Sequence, residues 1–246
     1  MKTPTAALIV VGNEVLSAKV LDENGPYAAR RLREQGVQLE ALLTLPDRLG
    51  VLVEAIARER SRVDWLLTSG GVGPTHDDVT LPAVGQALGV PLERHPDLAA
   101  NVRRWHERHG AEPPEAALRM ADVPRGTRLL GDLRFPAMVV ENVVMLPGPP
   151  SFFKMQFEHF AAALEAPPFR LISLFVDLAE DHFAAALDKV AREHPDVDIG
   201  SYPRFDDADH RVKITFESKD GARVEAALAA FLATLPAAAV VRREGP

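Results

Sequence analysis

No cysteine occurs among the 246 residues, which excludes disulfides and thiolate catalysis and gives no sign of an oxidising compartment. Positive charge is also scarce. Lysine and arginine total 28 against 35 acids, a formal net charge of −7, which argues against a nucleic-acid-binding surface. The arginine pairs Arg30-Arg31, Arg103-Arg104 and Arg242-Arg243 are scattered and read as solvated helix faces or a tail. No apolar run approaches the about 18 residues needed to span a bilayer. Met1 to Thr5 leads directly into the strand-length segment Ala6 to Val11, too short and too early for a secretory signal. Internal repeats and low-complexity tracts are missing too. These absences leave the expectation of a cytoplasmic, soluble protein with neither nucleic acid nor membrane as partner. Hydrophobic residues at 47% and charged residues at 26% supply a substantial core.

The densest chemistry lies in Thr68 to Thr80, T-S-G-G-V-G-P-T-H-D-D-V-T. It follows the apolar run Val63 to Leu67 and precedes a stretch with helical spacing that ends at Leu88. The loop therefore sits at a strand-to-helix turn, where backbone N–H groups and the positive helix end converge. Gly70, Gly71 and Gly73 let the main chain approach a ligand, and Pro74 stiffens the turn. Asp77 and Asp78 add carboxylates beside a backbone suited to an anion, and these would repel a phosphate unless a divalent cation lay between. The string is neither a Walker loop nor the G-x-G-x-x-G fingerprint. A plainer reading remains open, in which Thr75, Asp77 or Asp78 only caps a helix.

Strand and helix alternate through the first half: strands at Ala7–Val11, Gln38–Leu45 and Val63–Leu67, helices from Asn24 towards Gly36, at Leu49–Arg60 and up to Leu88. This spacing predicts a doubly wound α/β sheet. Helices are expected at Pro96–Gly110 and Pro114–Met120, and strands near residues 129–130, 138–140 and 143–146. After Pro147-Gly148-Pro149-Pro150, Ser151 is expected to cap a helix running to about Leu164. Ala166-Pro167-Pro168 marks a domain boundary, giving a domain 1–166 and a small α+β domain 167–246. The latter is read as strand 171–176, helix 180–193, strands near 197–201 and 212–216, and helix 222–232.

If the first three strands are parallel, the loops after them share one sheet edge, where open α/β sheets bind ligands. Glu14 follows the first strand, Asp47 the second, and Asp77 and Asp78 the third. Two carboxylates with phosphate oxygens and water make a Mg²⁺ site, although Glu14 and Asp47 also read as ordinary loop acids and Asp47 as a helix cap. His106 and His109, three apart on a helix, are compatible with a metal pair. His76 could donate to a phosphate or remain a solvated loop histidine. Trp65 and Trp105 are expected in the core or in helix packing, and Phe152, Phe153, Phe157 and Phe160 on an amphipathic face.

At Gly12-Asn13-Glu14-Val15-Leu16, Asp22-x-Asn24, Asp47, the S-G-G-V-G-P-T-H-D-D-V-T loop, Arg119-Met120-Ala121 and Leu146-Pro147-Gly148-Pro149-Pro150, the chain resembles the molybdopterin-binding-like domain family. That domain is shared by molybdopterin adenylyltransferases, competence/damage-inducible proteins and eukaryotic FAD synthases. Ile199-Gly200-Ser201-Tyr202-Pro203 and the strand after it resemble the small domain of competence-type and FAD-synthase-type members. The resemblance implies a three-layer α/β/α core with a mostly parallel sheet plus a small α+β C-terminal domain, assembled as a homo-oligomer, a dimer or trimer. It implies catalytic roles for Asp47 and Asp78, with Mg²⁺ or Co²⁺ held there, and Asp77, or His76 in its place, is read as assisting a proton transfer. It implies that Gly70, Gly71, Gly73, Pro74 and Thr75 belong to a pterin- and phosphate-binding segment, and Gly12, Glu14, Asn24, Ser69, Thr80, Pro147, Gly148 and Pro149 are further candidate ligand residues. Ala18 stands where many relatives carry glycine. The expectation is metal-dependent hydrolysis of an ADP-ribose or FAD pyrophosphate. The alternative is a molybdopterin- or nucleotide-binding protein without chemistry of its own, and molybdopterin adenylylation ranks last.

Overall fold

The computed structural model describes residues 3–204 and 209–245. The chain divides into two compact units, Met1–Ala166 and Pro167–Pro246.

The first apolar run forms β1 (Thr5–Val11), buried at every position from Ala6 onward, as a strand covered on both faces must be. A short α1 (Asn13–Leu16) follows, then α2 (Asn24–Glu34), β2 (Gln38–Leu45), α3 (Leu49–Arg60), β3 (Trp65–Ser69) and α4 (Thr80–Leu88). Strand β1 pairs in parallel with β2 on one side and β3 on the other, placing Val11 opposite Leu45 and Val10 opposite Ser69. Next come β4 (Leu92–Arg94), α5 (Pro96–Arg108), α6 (Glu115–Leu118) and β5 (Asp122–Pro124), with β4 and β5 forming an antiparallel ribbon. The unit is completed by β6 (Arg128–Leu130), β7 (Ala137–Val140), β8 (Val143–Leu146) and α7 (Pro150–Ala161).

The main sheet has the order β2-β1-β3-β8-β7-β6. Strand β8 continues the parallel set beside β3, and β7 and β6 add an antiparallel end. Alternation along β1 divides the core. Ala7, Ile9 and Val11 pack with Leu52 and Ile56 of α3 and Leu81 and Val84 of α4. Ala6, Leu8 and Val10 pack on the opposite face with Ala28 and Leu32 of α2 and with Phe153, Phe157 and Phe160 of α7. The result is a three-layer α/β/α unit with a mostly parallel sheet.

The second unit contains β9 (Arg170–Val176), α8 (Ala184–Glu193), β10 (Asp198–Pro203), β11 (Val212–Ser218), α9 (Gly221–Leu232) and β12 (Val240–Glu244). Its antiparallel sheet runs β10-β11-β9-β12. Ile172, Leu174, Ile214 and Phe216 face Val190 of α8 and Val224, Leu228 and Phe231 of α9, an α+β arrangement.

Several elements differ from the sequence reading. Ser151 is the second residue of α7 and not its cap. Pro149 holds the cap position and Pro150 opens the helix, where a missing N–H costs nothing. The helix expected from Glu180 starts as a 3₁₀ turn, Glu180–His182, and turns α-helical only at Ala184. Arg242 and Arg243 belong to β12, with the Arg242 guanidinium 3.8 Å from the centre of the Phe175 ring. Trp105 is 55% exposed and lies against its helical neighbours His106 and His109, whereas Trp65 packs edge-on against buried Phe160. Phe152 is also exposed, so the packing face of α7 is Phe153, Phe157 and Phe160. Among the described residues no helix is long and apolar enough to cross a membrane.

Candidate functional site

Strands β2, β1, β3 and β8 are adjacent and parallel, so Asp47, Gly12 to Glu14, the Gly70–Val79 loop and Pro147 to Pro149 all emerge at one rim. Helices α2 and α7 cover one sheet face and α3 and α4 the other. The chain therefore diverges to opposite faces between β1 and β3, and again between β3 and β8. Such points open the crevices in which α/β sheets bind ligands.

The glycine loop is shaped by steric necessity. Gly70 has φ +99°, and a Cβ there would lie 2.4 Å from the Val11 carbonyl oxygen. Gly71 has φ +67°, and a Cβ there would lie 2.4 Å from Thr80 Oγ1. Only glycine meets both demands without strain. Buried Thr80, the first residue of α4, staples the loop: its hydroxyl donates to Gly70 O (2.8 Å) and its N–H to Gly71 O (2.9 Å). On the other side Gly70 N–H donates to Leu146 O at 3.0 Å, tying the loop to β8. Between these anchors the N–H groups of Gly71, Val72 and Gly73 donate to no protein acceptor among the described residues. Successive free amides beside a residue at positive φ form a concavity that binds anions.

At the far end, Thr75 N–H donates to Asp78 Oδ2 at 2.8 Å. The Thr75 hydroxyl lies 2.6 Å from Asp77 Oδ1 and 2.5 Å from Asp78 Oδ2, and its single proton serves one of them at a time. That hydroxyl and a backbone N–H hold the Asp77 carboxyl below the usual carboxylate range. Asp78 thus braces the loop and does not cap α4, whose N-terminal Val79 has no side-chain cap. His76 is almost fully exposed, with Nδ1 4.0 Å from Asp77 Oδ1.

Asp47 does not cap α3 either. Its Oδ2 accepts the Asn13 N–H at 2.7 Å, fastening the loop after β2 to the loop after β1. Exposed Glu14 folds back over Gly12, its Oε1 2.4 Å from where a Gly12 Cβ would stand.

The Asp22-x-Asn24 element separates into two tasks. Asp22 Oδ1 accepts the N–H groups of Asn24 (2.9 Å) and Gly25 (3.0 Å) at the start of α2. Buried Asn24 donates from Nδ2 to Ser69 Oγ (2.9 Å) and to Gly148 O (2.7 Å). Gly148 lies beside the glycine loop: a Cβ on it would be at ordinary contact distance, 3.5 Å, from Gly70 Cα. Sequence reasoning assigned Asn24 and Ser69 to the ligand surface but had no signal for this linkage across 124 residues.

Among the described residues no group of three or more His, Cys, Asp or Glu is placed to hold a metal ion. His106 Nδ1 and His109 Nδ1 each face a carbonyl of their own helix, at 3.0 and 2.7 Å. Asp47 and Asp78 each commit Oδ2 to protein donors, and among the described residues neither Oδ1 has a donor. A hard divalent cation suits such oxygens, but it would need phosphate oxygens and water to complete its shell.

Residues 7–166 match the family model described as "Probable molybdopterin binding domain", and residues 168–244 match the model "FAD synthase, middle domain". A protein of Archaeoglobus fulgidus is 30% identical over 226 residues, covering 91% of this chain and 95% of its own length. A "Probable FAD synthase" of Caenorhabditis elegans is 29% identical over 249 residues, covering 90% of this chain and 48% of its own, so the chain spans about half of that relative. The crystal structure of the protein CinA of unknown function from Thermoplasma acidophilum superposes with a TM-score of 0.60 at 24% identity. That match covers 66% of this chain and 99% of the other, and it shows a shared fold.

Proposed function

Since the chain belongs to the family described as "Probable molybdopterin binding domain", we propose that it binds a pterin or nucleotide through its phosphate at the Gly70–Thr75 loop. One observation carries this reading. Three consecutive N–H donors, on Gly71, Val72 and Gly73, have no acceptor among the described residues, although both ends of their loop are tied down. Unmet backbone donors are costly unless water or a ligand meets them, and a phosphate offers several acceptor oxygens at once. The crevices at β1/β3 and β3/β8 leave room for the remainder of the ligand along the rim. Isothermal titration with 6-hydroxymethylpterin monophosphate and with AMP tests the proposal. Saturable binding to one of them, without product over hours, supports it; no saturable binding to either removes it.

A second reading, hydrolysis of an ADP-ribose or FAD pyrophosphate, is favoured by the pairing of Asp77 and Asp78 through Thr75 next to the free amides. Asp47 and Asp78 would hold a Mg²⁺ or Co²⁺ ion arriving with the pyrophosphate. Such an ion supplies Lewis acidity at the phosphoryl oxygen. The protein's own part would be to hold the phosphates on the loop amides and to orient the bond at the rim. AMP release from ADP-ribose or FAD that disappears in Asp78→Asn would favour this reading over simple binding.

A further inference from the structure

We infer that Asn24 is a positioning residue that sets the separation of the two ligand loops, the one after β3 and the one after β8. The inference rests on the binding role proposed for the glycine loop. A single carboxamide sends its two N–H bonds to two different loops: one to Ser69 Oγ at 2.9 Å, on the last residue of β3, the other to Gly148 O at 2.7 Å, in the turn after β8. Asn24 itself is 5% exposed, and Asp22 Oδ1 holds its backbone N–H at 2.9 Å at the start of α2. Three separate segments of the rim are thereby locked at one buried point.

Few side chains can do this. Aspartate has the same shape but no donor when ionised, serine has one donor, and glutamine places its fork a methylene too far. The remaining atom of the group supports the assignment. Asn24 Oδ1 is buried and has no hydrogen-bond partner among the described residues. A polar residue retained for its own burial would have both ends satisfied. Here the two donors are spent on the loops and the acceptor is left over, so the donors account for the residue.

Asn24→Asp supplies a test that a merely structural role would not meet. Near pH 8 the new carboxylate cannot donate to Gly148 O or Ser69 Oγ. Asp22, the charged side chain in contact with Asn24, combines with burial to raise the pKa of the new acid. On acidification the acid regains one donor and with it one tether. Titrations with 6-hydroxymethylpterin monophosphate and AMP are therefore compared between variant and wild type, both verified as folded by urea denaturation. The expected result is affinity at least about tenfold weaker at about pH 8, with the ratio to wild type closing to within about threefold at about pH 5. Equal affinity at the higher pH, or the same deficit at both, overturns the inference.

If Asn24→Asp fails to fold, Ser69→Ala removes one tether and keeps the other. It is expected to weaken binding by about threefold, and unchanged affinity counts against the clamp. If wild type binds neither probe, the binding role fails, and hydrogen exchange still tests the clamp. The Gly70 amide, bonded to Leu146 O, is expected to exchange faster than in wild type when Asn24 is replaced or Ser69 truncated. Unchanged exchange there refutes it.

Discussion

Asp47 and Asn13, 34 positions apart, meet through a 2.7 Å hydrogen bond from the Asn13 N–H to Asp47 Oδ2, which joins the loops after β1 and β2 at the ligand rim. A charge-assisted bond to a backbone donor does two jobs here: it orders the rim, and it engages only Oδ2 of the carboxylate. The two jobs are separable. Asp47→Asn keeps an acceptor and is expected to retain stability, whereas Asp47→Ala loses about 1–2 kcal/mol by urea denaturation. Equal stability of the two variants would mean the hydrogen bond contributes nothing.

Ala18 has φ +55°, a left-handed conformation in which a β-carbon crowds the following carbonyl. Ala18→Gly relieves that strain but adds backbone freedom to the unfolded chain. The first effect exceeds the second, so the variant is expected to gain about 0.5 kcal/mol, read as a higher urea midpoint with unchanged slope. A lower midpoint would contradict the positive φ.

Gly70→Ala forces a β-carbon to within 2.4 Å of the Val11 carbonyl oxygen at φ +99°. Neither partner is a flexible side chain, so the backbone itself must move. A loss of about 2–3 kcal/mol in stability is expected, together with loss of ligand affinity. Wild-type stability in this variant would show that the loop tolerates a side chain.

Glu158 links α7 to α2. Arg31 donates to both of its carboxylate oxygens, at 2.8 and 2.7 Å, and the Tyr27 hydroxyl donates at 2.5 Å. Hydrogen bonding from Arg31, before any other influence, holds its pKa below the ordinary 4.5. A depressed folded-state pKa means stability that is present above 4.5 and is lost as the pH falls through the lower folded value. With the side chain 41% exposed, solvent screening limits the contribution to about 1 kcal/mol. The stability difference between wild type and Glu158→Gln is thus expected to shrink on acidification below 4.5. A difference independent of pH in that range would contradict the assignment.

The parallel core was legible because β1 and β3 are apolar runs too short for a helix and are followed by glycine, which together mark a buried strand. The antiparallel strands of the second unit were legible in the same way, from Leu171 to Val176 and Val212 to Phe216. Pairings made by polar or very short segments were not. Leu92-Glu93-Arg94 carries no strand signal of its own and becomes one only opposite Asp122 to Pro124. Arg242 and Arg243 looked like a solvated tail because a cation–π contact with Phe175 has no signature along the chain. At the rim, reasoning from strand order grouped Glu14, Asp47, Asp77 and Asp78 at one sheet edge. It could not say that Asp47 holds Asn13, that Asp78 holds Thr75 or that Asn24 reaches Gly148. These contacts depend on how far each loop bends, which the distant partners decide.

The amides of Gly71, Val72 and Gly73 are the proposed phosphate donors. The most direct measurement is a ¹⁵N-resolved titration of the protein with 6-hydroxymethylpterin monophosphate, following these three amides in wild type and in Gly70→Ala. Saturable shifts centred on Gly71 to Gly73 are expected in wild type, reversed by excess inorganic phosphate and lost in the variant. Binding that leaves the three amides unmoved, or that survives intact in Gly70→Ala, would contradict the proposal.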